Sequence, residues 1–240
     1  MNGEAIEADI MRRVLYRDAL MLVIDKPAGL PVHPGPRNAA SRNAGGRDVT
    51  LTDFLPALRF GLPRVPELVH RLDRDTSGCL VLGRHRKALE RIGKLFSGNQ
   101  VEKTYWAIVE GGPQADAGEI DLAIGPRDPD RGWWMKVDPA GQPALTRWRV
   151  LGRAQGLTWL ALEPVTGRTH QLRVHCAASG FPILGDSVYG NAPRFGGPGL
   201  HLHARAIRLP LYPKRDPIEV EAPPPAHMAA ELDRAGLGRG

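Results

Sequence analysis

The sequence predicts an α+β fold, a largely antiparallel mixed β-sheet with flanking helices. Three features carry that reading. Short apolar, β-branched segments of strand length recur along the chain; few stretches repeat apolar residues at helical spacing; and the two kinds do not alternate regularly, as a doubly wound parallel sheet requires. The 240 residues suffice for one large core. No internal repeat or linker divides them, so the chain reads as one domain over 1–240, with its core at 14–222.

The first ten residues lack a pattern and are expected to be a frayed leader. Residues 14–16 and 20–24 read as strands around the turn Arg17-Asp18-Ala19. The prolines at positions 27, 31, 34 and 36 forbid a central strand or a helix, so 25–36 is a loop. It runs into a Gly/Ala/Asn/Ser-rich insertion, 37–48, that carries Arg37, Arg42 and Arg47. Segments of this kind are usually functional or disordered. The expectation is a mobile loop that orders on a nucleic-acid backbone, with a plain disordered insertion as the alternative.

Residues 50–58 read as a short helix, 70–78 as a loop after Leu68-Val69, and 79–82 as a buried strand. Between 86 and 96, Ala88, Leu89, Ile92, Leu95 and Phe96 fall on one helical face. Strands follow at 104–109, 144–151 and 157–162, the last two joined by a turn at 152–156. A helix is expected at 169–178, with Gly180 as its stop. Strands at 201–209 and 218–221 and a helix at 226–235, after Pro223-Pro224-Pro225, complete the order.

Composition excludes several classes. Apolar runs such as Cys79-Leu80-Val81-Leu82 are too short to span a bilayer, so no membrane association is expected. The N-terminus has neither the basic start nor the apolar stretch of a secretory signal. Two cysteines, Cys79 and Cys176, are too few for a disulfide framework or a thiolate metal cage. A cytoplasmic globular protein is the expectation. The net charge is +6, and 26 of the 32 basic residues are Arg. Arg presents a planar fork of donors that suits phosphates and stacks on bases. A polyanion, nucleic acid above all, is therefore an expected partner; codon bias of a GC-rich genome is the competing explanation.

The densest polar cluster is His70-Arg71-Leu72-Asp73-Arg74-Asp75-Thr76-Ser77-Gly78. A carboxylate between Arg71 and Arg74 is expected to stay ionised, able to act as nucleophile, general base or metal ligand. The plain alternative is a turn closed by an Asx hydrogen bond.

This cluster closely resembles the signature of the RluA-type pseudouridine synthases. Leu22-Val23-Ile24-Asp25-Lys26-Pro27-Ala28-Gly29-Leu30-Pro31-Val32-His33 is similar to that family's N-terminal motif, and Lys103-Thr104-Tyr105 to its third. Pro164-Val165-Thr166-Gly167-Arg168-Thr169-His170-Gln171-Leu172-Arg173-Val174-His175 resembles the fourth, continuing through Gly180-Phe181-Pro182-Ile183-Leu184-Gly185-Asp186 to Tyr189-Gly190. Leu202-His203-Ala204 matches the late strand. The motifs occur in order over 14–209.

The resemblance implies an isomerase that converts specific uridines in structured RNA, ribosomal or transfer, to pseudouridine, without cofactor or metal. It implies Asp73 as the catalytic aspartate, acting at C1′ or C6 as nucleophile or at C2′ as base. Tyr105 would stack on the target base and help remove the C5 proton. Arg173 would pair with Asp73, and Leu172 would supply an apolar contact. Arg71 and Arg74 would occupy the space left by the flipped base and the neighbouring phosphates. Arg168 is a candidate phosphate ligand, and His70 and His170 are expected to orient loops by hydrogen bonds. His201 and His203 share a strand face, but without a carboxylate or thiolate at ligand spacing no metal site is expected. Trp133 and Trp134 are candidates for base stacking or for a packed hairpin pair. No separate small N-terminal RNA-binding domain is expected, and a monomer is expected by analogy. The alternative function is a non-catalytic RNA-binding or RNA-folding factor that kept the fold.

Overall fold

The computed structural model describes residues 3–33, 49–128 and 134–237. The 37–48 insertion and Trp133 lie outside the described residues. The chain opens on a helix, α1 (Gly3–Arg12), where a leader was expected. Ile10 is fully buried in the core and Ile6 packs against it. Two apolar residues one turn apart are too sparse a periodic signal, so this helix owes its stability to tertiary packing.

Strands β1 (Val14–Arg17) and β2 (Met21–Lys26) follow. Asp18 closes their turn by accepting the N–H groups of Leu20 and Met21, both at 2.8 Å. The helix expected at 50–58 is instead two 3-10 turns, Leu51–Asp53 and Leu55–Arg59. Pro56 lacks the N–H that a continuous α-helix would need there. Next come β3 (Glu67–Leu68), β4 (Ser77–Gly83), α2 (Arg86–Ser97) and β5 (Glu102–Glu110). Every residue of β4 is buried, as befits a strand covered on both faces. His85 starts α2, its Nδ1 accepting the Ala88 N–H at 3.2 Å.

Strands β6 (Ala117–Asp121), β7 (Ile124–Pro126) and β8 (Met135–Val137) have no counterpart in the sequence reading. They are short and carry no clear alternation; β6 is defined by its pairing with β9, and β7 and β8 by their pairing with each other. After β9 (Leu145–Ala154) and β10 (Leu157–Pro164) comes α3 (Gln171–Ala178), two residues shorter at its start than expected. His170 stands before it in a left-handed conformation, φ 54°, which ends helical geometry there. β11 (Leu202–Leu209), β12 (Ile218–Glu221) and α4 (Ala226–Ala235) complete the fold.

Among the described residues, ten strands form one sheet along the path β1-β2-β4-β11-β5-β10-β9-β6, with β3 added to β4 and β12 to β11. In that sheet β11 runs parallel to β4, and the other pairs are antiparallel. The register sets Gly78, Ala204, Tyr105 and Leu162 in one row across β4, β11, β5 and β10. Tyr105 packs against both of the larger apolar cores, one under β2 and β4 and the other under β5 and β10. The row therefore carries Tyr105 to the seam between them, beside the β3–β4 loop.

Candidate active site

The β3–β4 loop holds residues 70–76, and its path is fixed from outside. Lys26 is fully buried, and its ammonium donates to the carbonyls of Pro27 (2.7 Å), Leu30 (2.9 Å) and Arg74 (2.9 Å). Three donors meet three acceptors, which is complete satisfaction for an ammonium. Burial pushes its pKa down to about 7, against the charges of Asp75, Asp73 and Asp25, which favour the cation. The Gly29 N–H donates to the Arg74 carbonyl at 3.0 Å, and Arg74 Nε returns a bond to the Gly29 carbonyl at 3.2 Å. Within the loop, the Thr76 N–H closes a turn on the Asp73 carbonyl at 3.2 Å. The proline-rich segment after β2 thus clamps the loop that carries Asp73.

Asp73 opens into a cleft of about 610 Å³, lined by the loop, the C-terminal end of α2, Lys103 and Tyr105 of β5, Pro164, residues 166–173 and Leu202. Its carboxylate is 20% exposed. Arg173 Nη1 lies 3.6 Å from Oδ2, and His170 Nε2 lies 3.7 Å from Oδ1. Both separations exceed hydrogen-bond length.

The expected pairing of Arg173 with Asp73 is therefore loose. The principal partner of Arg173 is Asp186, which accepts Nε and Nη2 at 2.8 Å each. Arg173 is buried, so it is not a solvated helix residue. Burial alone would raise the Asp186 carboxyl. The bonds and charge of Arg173, with the N–H groups of Tyr189 and Val188, outweigh burial and hold it below the usual carboxylate range. Asp186 and Tyr189 lie in the motif run that continues from residue 180, and nothing in their local sequence marks the partnership with Arg173.

The other anticipated residues divide by position. Tyr105 and the buried Leu172 face the cleft. Burial and the charge of Asp73 push the Tyr105 phenol well above its usual pKa, so it stays protonated. His70 stacks on Phe96 (centroids 4.6 Å apart) and its Nε2 accepts the Val81 N–H at 2.9 Å. Burial, with the charge of Lys103, pushes the ring down to about 3, so it is a neutral wall of the cleft. Arg71 is exposed at the mouth. Arg168 lines the rim, with Nε bonded to the Pro143 carbonyl at 3.0 Å. Arg74 is not a cleft residue, because its side chain is turned to Gly29.

Gln171, to which the motif assigns no role, organises the approach to α3. Its Oε1 accepts from Thr166 Oγ1 (2.7 Å) and the Arg168 N–H (3.0 Å), and its Nε2 donates to the Leu145 carbonyl (2.9 Å). That network shapes the β10–α3 turn, where Arg168 and His170 sit. His203 has both nitrogens engaged, with Ser77 Oγ at 2.8 Å and the Ala222 carbonyl at 3.1 Å. Among the described residues no group of three His, Cys, Asp or Glu is arranged to hold a metal ion. No helix among them is long and apolar enough to cross a membrane.

A family model described as RNA pseudouridylate synthase matches residues 20–178. An uncharacterised RNA pseudouridine synthase of Zymomonas mobilis is 43% identical over 218 residues, covering 90% of this chain and 95% of that protein. The ribosomal large subunit pseudouridine synthase D of Xylella fastidiosa is 37% identical, covering 97% of this chain and 72% of that protein. The solved structure of human RNA pseudouridylate synthase domain containing 4 superposes with a TM-score of 0.80 at 29% identity, covering 98% of this chain and 97% of that one. A model match over most of the chain, and relatives aligned along nearly all of it, put the protein in the RluA-type RNA pseudouridine synthase family, which makes it an isomerase that acts on RNA.

Proposed function

We propose that the protein isomerises specific uridines of a structured RNA, with Asp73 as the catalytic aspartate, and works as a cytoplasmic monomer. Ribosomal RNA is the favoured substrate over transfer RNA, because relatives named for the large ribosomal subunit align with nearly the whole chain. The observation that carries the reading is a partly exposed carboxylate at the wall of a nucleotide-sized cleft, faced by Arg173 and His170 and flanked by Tyr105 and Leu172.

The target uracil must leave its stack to reach this cleft. Tyr105 and Leu172 offer the flipped base a flat aromatic and an apolar contact. Arg71 at the mouth and Arg168 on the rim meet the flanking phosphates. Asp73 then starts the exchange: the N1–C1′ bond breaks, the uracil turns, and C5 bonds to C1′. The C5 proton departs and N1 takes one up, so the reaction is redox-neutral and proton-balanced. Arg173 keeps a positive charge beside the carboxylate while RNA phosphates crowd the site. Arg37, Arg42 and Arg47 add basic groups to the same chain for RNA binding.

The test is tritium release from RNA labelled at uracil C5, taken from cells lacking such enzymes and split into ribosomal and transfer fractions. Wild type should release tritium from the ribosomal fraction, and Asp73→Asn should release none while still binding RNA. Near-normal turnover by Asp73→Asn would refute the assignment of Asp73. Release from transfer RNA alone would refute the substrate class. RNA binding by wild type without release from either fraction would support a non-catalytic binding factor.

A further inference from the structure

We propose that Tyr189 and His170 form a positioning relay that presents an imidazole N–H to the Asp73 carboxylate. The inference rests on the reading of Asp73 as the catalytic group. It begins with His170 itself, a non-glycine residue in the left-handed region at φ 54° and ψ 18°. Such conformations are disfavoured for side-chain-bearing residues and concentrate at functional sites, where the surrounding structure imposes them. Here the conformation turns the ring into the cleft beside Asp73 rather than along α3.

The hydrogen-bond geometry favours one tautomer. The Tyr189 hydroxyl accepts the Met135 N–H at 3.0 Å, which leaves its own proton to donate. The atom it faces is His170 Nδ1, at 2.7 Å. With Nδ1 as acceptor, a neutral imidazole carries its proton on Nε2. Nε2 is the nitrogen that faces Asp73 Oδ1 at 3.7 Å. Tyr189 is held in turn, because its ring lies under the Arg173 guanidinium at 5.1 Å and its N–H donates to Asp186.

The charged groups around His170 are Asp73, Arg173, Asp186 and Arg71. Burial and the cations Arg173 and Arg71 outweigh the two carboxylates and keep the ring below the usual imidazole pKa, hence neutral near pH 7. Asp73 therefore meets two different neighbours on its two oxygens, a cation at Oδ2 and a neutral N–H donor at Oδ1. They flank its two oxygens just beyond hydrogen-bond length, and drawn closer when RNA binds they would set the plane of the carboxylate. Because the second donor is neutral, it aims the carboxylate without adding another cation, and so without further blunting its reactivity.

Two measurements test this. Long-range proton–nitrogen NMR of ¹⁵N-labelled protein without RNA should show His170 as the Nε2–H tautomer; an Nδ1–H tautomer would overturn the relay. Tritium release from C5-labelled ribosomal RNA supplies the second readout. His170→Asn keeps a residue that tolerates the left-handed conformation, so the variant should fold with a melting temperature equal to or above wild type. Its kcat should fall about tenfold or more, with KM changed less than about twofold. Tyr189→Phe keeps the ring under Arg173 and should lose about threefold to tenfold in kcat. In the His170→Asn background the same Tyr189→Phe change should cost nothing further. Full additivity of the two substitutions, or losses confined to KM, would overturn the proposal. Asp73→Asn, run alongside, separates the two claims. If it retains turnover, the reading of Asp73 fails, whatever the tautomer; if it is dead and His170→Asn has normal kcat, the relay alone fails. If wild type releases no tritium, the substrate reading fails and the NMR result decides the relay.

Discussion

Asp186 grips Arg173 through two hydrogen bonds of 2.8 Å, while Arg173 approaches Asp73 no closer than 3.6 Å. The bidentate pair is buried on both sides and uses Nε and Nη2, which leaves Nη1 pointed at Asp73. The positive charge beside Asp73 is therefore positioned by a second carboxylate. The distance to Asp73 also leaves room for adjustment, since catalytic contacts are commonly long before substrate binds and tighten afterwards.

Asp186→Asn should both destabilise the fold and slow the reaction. Breaking one side of a buried ion pair costs about 3–5 kcal/mol. The melting temperature should drop by about 10 °C at pH 7, given the size of this domain. The pH dependence is specific. Because the folded pKa of Asp186 lies below its ordinary value near 3.8, its contribution is fully present above that value and is lost as pH falls through the folded pKa. Wild type should thus lose stability more steeply than the variant on acidification below about pH 4. Thermal melts from pH 2 to 7 check this, and parallel profiles for the two proteins would contradict it.

Lys26→Met should loosen the loop that bears Asp73. The substitution keeps the apolar stem but strips three carbonyls of a buried donor. Among the described residues, the Arg74 carbonyl keeps a second partner, the Gly29 N–H. Unsatisfied buried acceptors cost about 1–3 kcal/mol each, so a total near 3 kcal/mol is expected after relaxation. Hydrogen exchange at residues 70–77 should accelerate, and kcat should fall more than KM rises. Lys87→Met, at an exposed position of α2, should change neither. Unaltered exchange in the Lys26 variant would show that the clamp does not hold the loop.

The sequence exposes some of these features and hides others for physical reasons. Strand β4 and helix α2 are legible because one is a continuous apolar run and the other a clean one-sided pattern. Helix α1 is hidden because Ile6 and Ile10 mean little until a core exists to receive them. Strands β7 and β8 pair chiefly with each other, and their residues do not advertise that partnership. In the site, Asp73, Tyr105, Leu172 and Arg173 stand out through family motifs. The grip of Asp186 on Arg173 does not, because it is set by how the segment after α3 folds back on that helix. Nor does the turning of Arg74 towards Gly29, which depends on the packing of the segment after β2.

Gly78→Ala should be a severely damaging small substitution near the site. Gly78 has φ +106°, where a residue with a Cβ is strained even in open space. It also lies opposite Ala204 at the parallel contact between β4 and β11. A Cβ there would sit 2.3 Å from the Ala204 carbonyl oxygen and 2.8 Å from its carbonyl carbon and nitrogen. These are backbone atoms of a central strand, and β11 cannot retreat because β5 holds its other edge through the register from Leu202 to Arg208. The row that carries Tyr105 to the cleft includes both residues, so any shift would move Tyr105 relative to Asp73. Gly29→Ala is the matched comparison: its φ of +83° is also left-handed, but nothing lies within 4 Å of the added carbon. Strain alone should cost Gly29→Ala about 1 kcal/mol. Strain plus backbone collision should cost Gly78→Ala about 4 kcal/mol or more, with loss of turnover in whatever folds. Urea unfolding of the two variants beside wild type measures the difference directly. Equal midpoints would mean that the β4–β11 contact is loose enough to admit a side chain, and that the Gly78–Ala204–Tyr105 row does not set the geometry of the cleft.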